Sequence, residues 1–431
     1  MTESGVEPPV VPAAEPARTD DADAGTAKFP LPLLELRDGL PTVVDSPRGL
    51  ETQVAAVAAG HGPVAIDAER ASGHRYSQRA YLIQLRREGA GTLLVDPVPF
   101  GAVPNSALKP LTDALADAEW IIHAASQDLP CLAQVGMRPV HLFDTELAGR
   151  LLGYPRVGLA ALVEELLGLR MRKEHSSVDW SKRPLPQPWL LYAALDVEVL
   201  IELRNVLASQ LEAAGKAEWA AQEFAAWSAM TAAPPREEPW RRTSGIHRVR
   251  GRRGLALVRA MWELRDEIAQ HRDISSSRIL PDAAIVDAAT AAPPSRNALG
   301  RLPSFASRGA QRYLREFAAV ISRALDLHES DLPALAPRLA GPPPPRSWAE
   351  KNPVAASRLQ RCREAVNEVA DRHDVPQENL LSPDVVRRLA WSPPEPLDVQ
   401  TVSATIVELG ARPWQVELTA RVLTDALLDP A

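Results

Sequence analysis

The stretch RDEIAQHRDISSSRILPDAAI at residues 265–285 aligns without a gap to VNEVADRHDVPQENLLSPDVV at 366–386, an offset of 101 residues. The alignment sets Glu267 on Glu368, Asp273 on Asp374, Ile274 on Val375 and Leu280 on Leu381. At the same offset Tyr313 meets Trp414, each opening a final helix. Two copies of one small helical module follow from this, and a period of domain size makes them tandem domains and not the turns of a solenoid. They fill the second half of a 431-residue chain and leave the first half to a separate core.

That first half has a different pattern. From about residue 30 to 215, short apolar runs (PVAID, AYLIQL, TLLVD, WIIHAA) alternate with amphipathic stretches at 49–59, 106–117, 128–135, 144–152, 158–167 and 189–214. Strands alternating with helices predict an α/β domain. Short polar loops between the first three strands predict an antiparallel meander within a mixed sheet.

Composition sets the boundaries. Residues 1–28 are Pro, Ala and acid and cannot bury enough apolar surface to fold, so a disordered tail is expected there. The α/β domain is placed at 29–217 and a linker at 218–245. The first helical module is placed at 246–327, a Pro-rich linker at 328–347 and the second module at 348–431.

The net charge of −7 rules out a uniformly basic nucleic-acid binder. The distribution is uneven: residues 246–326 hold fourteen Arg and eight acids, whereas 347–431 hold nine bases and thirteen acids. A basic module in an acidic chain suggests a local contact with a polyanion. The two cysteines, Cys131 and Cys362, have neither C-x-x-C nor zinc spacing. With no apolar run of membrane length and no signal-peptide pattern at the N-terminus, a cytoplasmic protein is expected.

Asp67 and Glu69 end the run GPVAIDAE, and side chains two apart on a strand share a face. Two adjacent carboxylates repel unless a proton or cation is shared, and oxygen-only ligands suit Mg²⁺ or Mn²⁺. Alone, the pair also reads as a frayed strand end. Asp128, in IIHAASQDLPCL, sits where an acid caps a helix or meets its dipole. Tyr192 and Asp196 are four apart on the apolar helix PWLLYAALDVEVLIEL, so they share one face. Tyr192 alone reads equally as a core aromatic.

Taken in order, Asp-x-Glu, then Asp, then Tyr-x-x-x-Asp resembles the DEDDy class of 3′–5′ exonucleases. The segments VAIDAERASGHRYSQRAYLIQL, HAASQDL and DWSKRPLPQPWLLYAALDVEVL resemble the three motifs of the ribonuclease D family. The tandem modules resemble the HRDC domains that follow that catalytic domain. The likeness covers roughly residues 30–429. Leu191 stands where the DEDDh relatives carry His, which selects the tyrosine subclass. The chain departs from family habit at Gln127, where an acid often precedes the second-motif Asp.

The resemblance implies an RNase H-like α/β (DEDD exonuclease) domain with a mixed sheet, followed by two small all-α HRDC-type domains. It implies that Asp67, Glu69, Asp128 and Asp196 hold two divalent ions, Mg²⁺ or Mn²⁺, for an in-line displacement. Tyr192 would orient or help deprotonate the attacking water, and 5′-mononucleotides would leave a free 3′ end. The implied substrates are tRNA precursors and other structured RNA 3′ ends, handled by a monomer. A DNA exonuclease on the same fold and a non-catalytic RNA-binding scaffold are the alternatives. No P-loop is present to suggest the former, and no metal-ligand position is lost as expected of the latter. Arg70, His74, Arg75 and Arg79 follow the first motif, and Arg248, Arg250, Arg252 and Arg253 lead into the basic module. All eight are candidate RNA contacts, with a solvated basic surface as the other reading.

Overall fold

The computed structural model describes residues 31–172, 178–230, 236–335 and 341–429. The expected disordered tail at 1–28 lies outside them. The α/β half is built on six strands: β1 Val43–Val44, β2 His61–Arg70, β3 Ala80–Glu88, β4 Gly91–Val95, β5 Glu119–Ile122 and β6 His141–Asp144. Their order in the sheet is β1-β4-β3-β2-β5-β6. β2, β3 and β4 form the antiparallel meander, while β1, β5 and β6 pair in parallel, so the sheet is mixed. Every residue of β3 from Ala80 to Leu85 is buried, as befits a strand covered on both faces.

Eight helices belong to this half: α1 Pro47–Ala59, α2 Lys109–Ala114, α3 Leu129–Ala133, α4 Thr145–Leu151, α5 Leu159–Leu167, α6 Gln187–Glu198, α7 Leu200–Ala213 and α8 Ala217–Ser228. The first module contains α9 Gly251–Arg272, α10 Ser276–Ile279, α11 Asp282–Ala291, α12 Arg296–Gly300, α13 Arg308–Arg312 and α14 Leu314–Leu325. The second contains α15 Trp348–Lys351, α16 Pro353–His373, α17 Gln377–Leu380, α18 Pro383–Trp391, α19 Val399–Glu408 and α20 Pro413–Leu428. The repeat read from the sequence maps element on element: α9 on α16, α10 on α17, α11 on α18. Asp273 and Asp374 both end their long helix in the left-handed region, at φ 45° and 49°.

Three features differ from the sequence reading. The helix expected over 189–214 is two helices that meet at Val199, whose φ of −113° leaves the helical range. The residues from 218, expected as linker, continue α8, whose Phe224 packs on Phe143 of β6 at 4.9 Å. Trp240, also inside that expected linker, is buried in the first module's core. The last of these was obscured by the Pro and Arg around it, which raise local polarity without preventing a single aromatic from being buried.

The apolar cores divide unequally. One cluster runs from Leu34 through Trp120 and Leu207 into Trp348, Leu389 and Leu427, joining the α/β domain to the second module. A second cluster, from Trp240 to Ala324, belongs to the first module, and Tyr76 is the α/β-domain side chain that packs against it. Cys131 in α3 and Cys362 in α16 are buried and unpaired. No described helix is long and apolar enough to cross a membrane.

Candidate active site

β2 pairs with β5 only at Val64–Trp120 and Ala65–Ile121, so its last residues run past the end of that parallel neighbour. Asp67 and Glu69 lie on this extension, held in register by β3 through Gln84 and Leu82. Ligands of open α/β sheets sit beyond the carboxyl ends of parallel strands, and these acids occupy that place. Asp196 reaches them from α6, which lies across β2, β3 and β4. One carboxylate oxygen from each of Asp67, Glu69 and Asp196 falls within 4.8 Å of the other two.

Asp128 joins the same cavity from the turn between β5 and α3. That turn needs Ala124 in the left-handed region, at φ 59°. Asp144, at the end of β6, holds it there. Its carboxylate accepts the N–H groups of Ala124 and Ala125 at 3.1 and 2.8 Å while capping α4 through Glu146 and Leu147. Burial pushes Asp144 up to about 6, against the pull of those N–H groups.

The segment before α6 is clamped as well. Arg183 makes a two-pronged pair with Asp96 at 2.6 and 2.8 Å and donates to the Tyr81 carbonyl at 2.7 Å. Trp180 is fully buried below, edge-on to Trp189. Aligned forks of this kind fix orientation, here that of the helix carrying Tyr192 and Asp196.

Together Asp67, Glu69, Asp128, Tyr192 and Asp196 line one cavity of about 470 Å³, with Arg70, His123, Gln127 and Arg172. Burial raises the carboxyls of Glu69, Asp128 and Asp196 well above the usual range, and their like charges raise them further. Asp67 is raised by burial and partly relieved by the Ala68 N–H and by Arg70. The Tyr192 phenol is raised by burial and by Asp196, to which it donates a hydrogen bond. Clustered carboxylates that repel in isolation, with oxygen donors only, fit hard divalent cations.

The eight candidate RNA contacts separate. Arg70 stays in the cavity, its guanidinium 3.3 Å from the Gln127 amide oxygen and 3.9 Å from Asp128. Arg75 donates to Ser181 and Arg79 to the carbonyls of Pro97 and Gly101. His74 accepts from Arg278 of the first module at 2.6 Å and lies 3.6 Å from Asp179. Arg248 pairs with Asp287. Arg252 and Arg253 bind carbonyls of the segment after α14, at Leu332, Pro333 and Leu327, and so staple the module together. Arg250 is exposed. Sequence reasoning missed Asp144, Asp96 and Arg183. An acid opening a helix after a short apolar run, as in HLFDTELA, was the available signal for Asp144.

Three family descriptions match the chain: 3′-5′ exonuclease over residues 41–212, HRDC domain over 254–321 and 3′ to 5′ exonuclease C-terminal domain over 341–427. A ribonuclease D of Gluconacetobacter diazotrophicus is 31% identical over 341 residues, covering 77% of this chain and 81% of its own. A crystallised protein from Bifidobacterium adolescentis is 37% identical, with a TM-score of 0.82 over 93% of this chain and 100% of the other. Escherichia coli RNase D, described as an exoribonuclease involved in structured RNA processing, is 25% identical. Its TM-score is 0.66 over 90% of this chain and 98% of its own.

Proposed function

The chain belongs to the ribonuclease D family, and from that premise we propose that it trims the 3′ ends of tRNA precursors and other structured RNAs as a cytoplasmic monomer. It is a 3′–5′ exoribonuclease, a hydrolase of RNA that uses divalent metal ions. Asp67, Glu69 and Asp196 would hold the ions from one side and Asp128 from the other. Bound there, such ions would supply an acidified water and a counter-charge for the leaving 3′ oxygen.

The protein's own groups then have separate tasks. Tyr192 donates to Asp196 and would orient the attacking water from α6. Arg70, held by a neutral amide and not locked in a tight ion pair, would meet a substrate phosphate. Asp144 and the Asp96–Arg183 fork would keep Asp128 and α6 in place.

The observation that carries the reading is the convergence of three carboxylates from β2 and α6 within 4.8 Å at the rim of the active-site cavity. The test is a time course on 5′-labelled single-stranded RNA with a free 3′-OH. It is run with Mg²⁺, Mn²⁺ or EDTA, beside an all-DNA strand and Asp67→Asn. A metal-dependent ladder shortening from the 3′ end, absent in the variant and weak on DNA, is expected. Equal attack on DNA would move the reading to a DNA exonuclease. Tight RNA binding without metal and without a ladder would move it to a scaffold.

A further inference from the structure

Residues 296–315, RNALGRLPSFASRGAQRYLR, hold five arginines and no acid. All five, Arg296, Arg301, Arg308, Arg312 and Arg315, are exposed. None has an acidic partner among the described residues, and Arg312 lies over the ring of Tyr313, 5.7 Å from its centre. Elsewhere in the module Arg248, Arg253 and Arg265 are paired with Asp287, Glu329 and Asp282, while Arg250, Arg272 and Arg323, exposed and without an acidic partner among the described residues, are scattered and not gathered in one stretch. The equivalent stretch of the second module, 397–416, holds one arginine and two acids. That arginine, Arg412, lies 3.6 Å from Glu223.

The position of this stretch follows from docking. The loop after Glu69 bonds to the first module at its α9–α10 corner. Arg278 donates to the Gly73 carbonyl at 3.1 Å and to His74, and Ser275 N–H donates to the His74 carbonyl at 3.2 Å. α13 then sits directly on that corner, so closely that a Cβ at Gly309 would collide with the carbonyl of Arg278. Arg70 in the cavity, His74 and Arg278 at the junction, and Arg308 and Arg312 on α13 therefore follow one another outward from the site.

We propose that the four arginines Arg70, Arg278, Arg308 and Arg312 form a track for the phosphates of the RNA strand upstream of the scissile bond, completed only when the first module docks on the His74 loop. Unpaired exposed guanidinium groups are what a phosphate backbone requires, and their neutralisation of phosphates releases counterions. The track serves RNA long enough to leave the cavity. A very short RNA never reaches α13. The inference rests on the exoribonuclease reading above.

The test compares wild type, Arg308→Gln/Arg312→Gln and Arg308→Lys/Arg312→Lys on two RNAs across a salt series. One RNA is about four nucleotides long and the other several times longer; two lost contacts to a single strand lower the salt slope by about 1.4. On the long RNA the Gln pair should raise KM roughly tenfold and lose that slope, and the Lys pair should keep both. Neither pair should alter turnover of the short RNA. Arg421→Gln, on the second module, is the neutral control. Unchanged KM and slope for the Gln pair on the long RNA would overturn the track. Failure of wild type to shorten either RNA would instead sink the catalytic reading beneath it.

Discussion

The two helical modules share a sequence pattern and an order of helices, yet they join the catalytic domain by opposite physics. The second module shares its apolar core. Trp414 stacks on Trp219 of α8 with ring centres 4.9 Å apart, and its indole N–H donates to buried Glu223 at 3.0 Å. Among the described residues the first module takes only Tyr76 from the catalytic domain against its core and otherwise meets that domain through hydrogen bonds. Asp273 accepts from the Ser77 N–H at 2.8 Å and the Tyr81 hydroxyl at 3.3 Å, and Tyr76 donates to Asp266 at 3.1 Å.

Even the matched aspartates diverge. The carboxylate of Asp273 docks a loop, whereas Asp374 offers its backbone carbonyl to Lys216 at 3.2 Å and crowds Gly153 with its side chain. A joint made by burying aromatics is as permanent as a domain core. A polar joint of a few exchangeable hydrogen bonds opens at little cost, because water replaces each one. Duplication of a module therefore does not duplicate its role: one copy became part of the body, the other an arm beside the active site.

The largest effect should come from Trp414→Ala. Removing a buried, stacked Trp costs about 3–5 kcal/mol. Urea unfolding followed by catalytic-domain and second-module signals should show both transitions moving down together. If only one moved, the shared core would not be a single cooperative unit.

Gly153→Ala comes next. Its φ of +77° and the adjoining Asp374 carboxylate oppose a side chain, so about 2 kcal/mol should be lost. Gly168→Ala has a similar φ of +64° with open space around it, and should cost about 1 kcal/mol. The difference between the two measures the crowding at the second module's joint.

Acidity probes the site itself. Its carboxyls are raised in the folded, metal-free protein, so the native state holds protons that the unfolded chain has already released. Stability without metal therefore falls as pH rises above the unfolded carboxylate pKa of about 4, with a thermal midpoint several degrees lower at pH 8 than at pH 5. Asp196→Asn should flatten that slope, and Mg²⁺ should bind more tightly as pH rises because protons must leave first. Scanning calorimetry with EDTA checks the first two, and a Mg²⁺ titration at two pH values checks the third.

The smallest effect on global stability should come from Asp273→Gly, which suits the left-handed corner but removes the docking carboxylate. Less than about 1 kcal/mol should be lost from the main transition. Hydrogen exchange at the Ser77 amide should nevertheless accelerate. A loss as large as that of Trp414→Ala would erase the contrast between the joints.

What could be read from the sequence was what local patterns encode. Val64 to Asp67 shows as a strand because its residues are apolar and bounded by turn signals, and Tyr192 and Asp196 share a face because a helix repeats every 3.6 residues. The gapless alignment exposed the tandem modules. Contacts across long separations left no such trace. β6 has four residues, and its pairing to β5 cannot be seen from either strand, so His141–Asp144 was absorbed into the approach to a helix. Arg252 and Arg253 looked like phosphate contacts until the return of the chain at 327–333 supplied their carbonyls. His74 and Arg278 are separated by 204 residues, and nothing local in either segment announces the junction.

The two cysteines turn this unequal anchoring into something that can be timed. Burial raises the Cys131 thiol, and pushes that of Cys362 to about 11, so neither offers thiolate to a labelling reagent while the body is closed. One thiol reports the catalytic domain and the other the second module, and the first module has none. Swinging of the arm should therefore pass unrecorded by a thiol-trapping clock. Opening of the body should tag both sulfurs at a single rate.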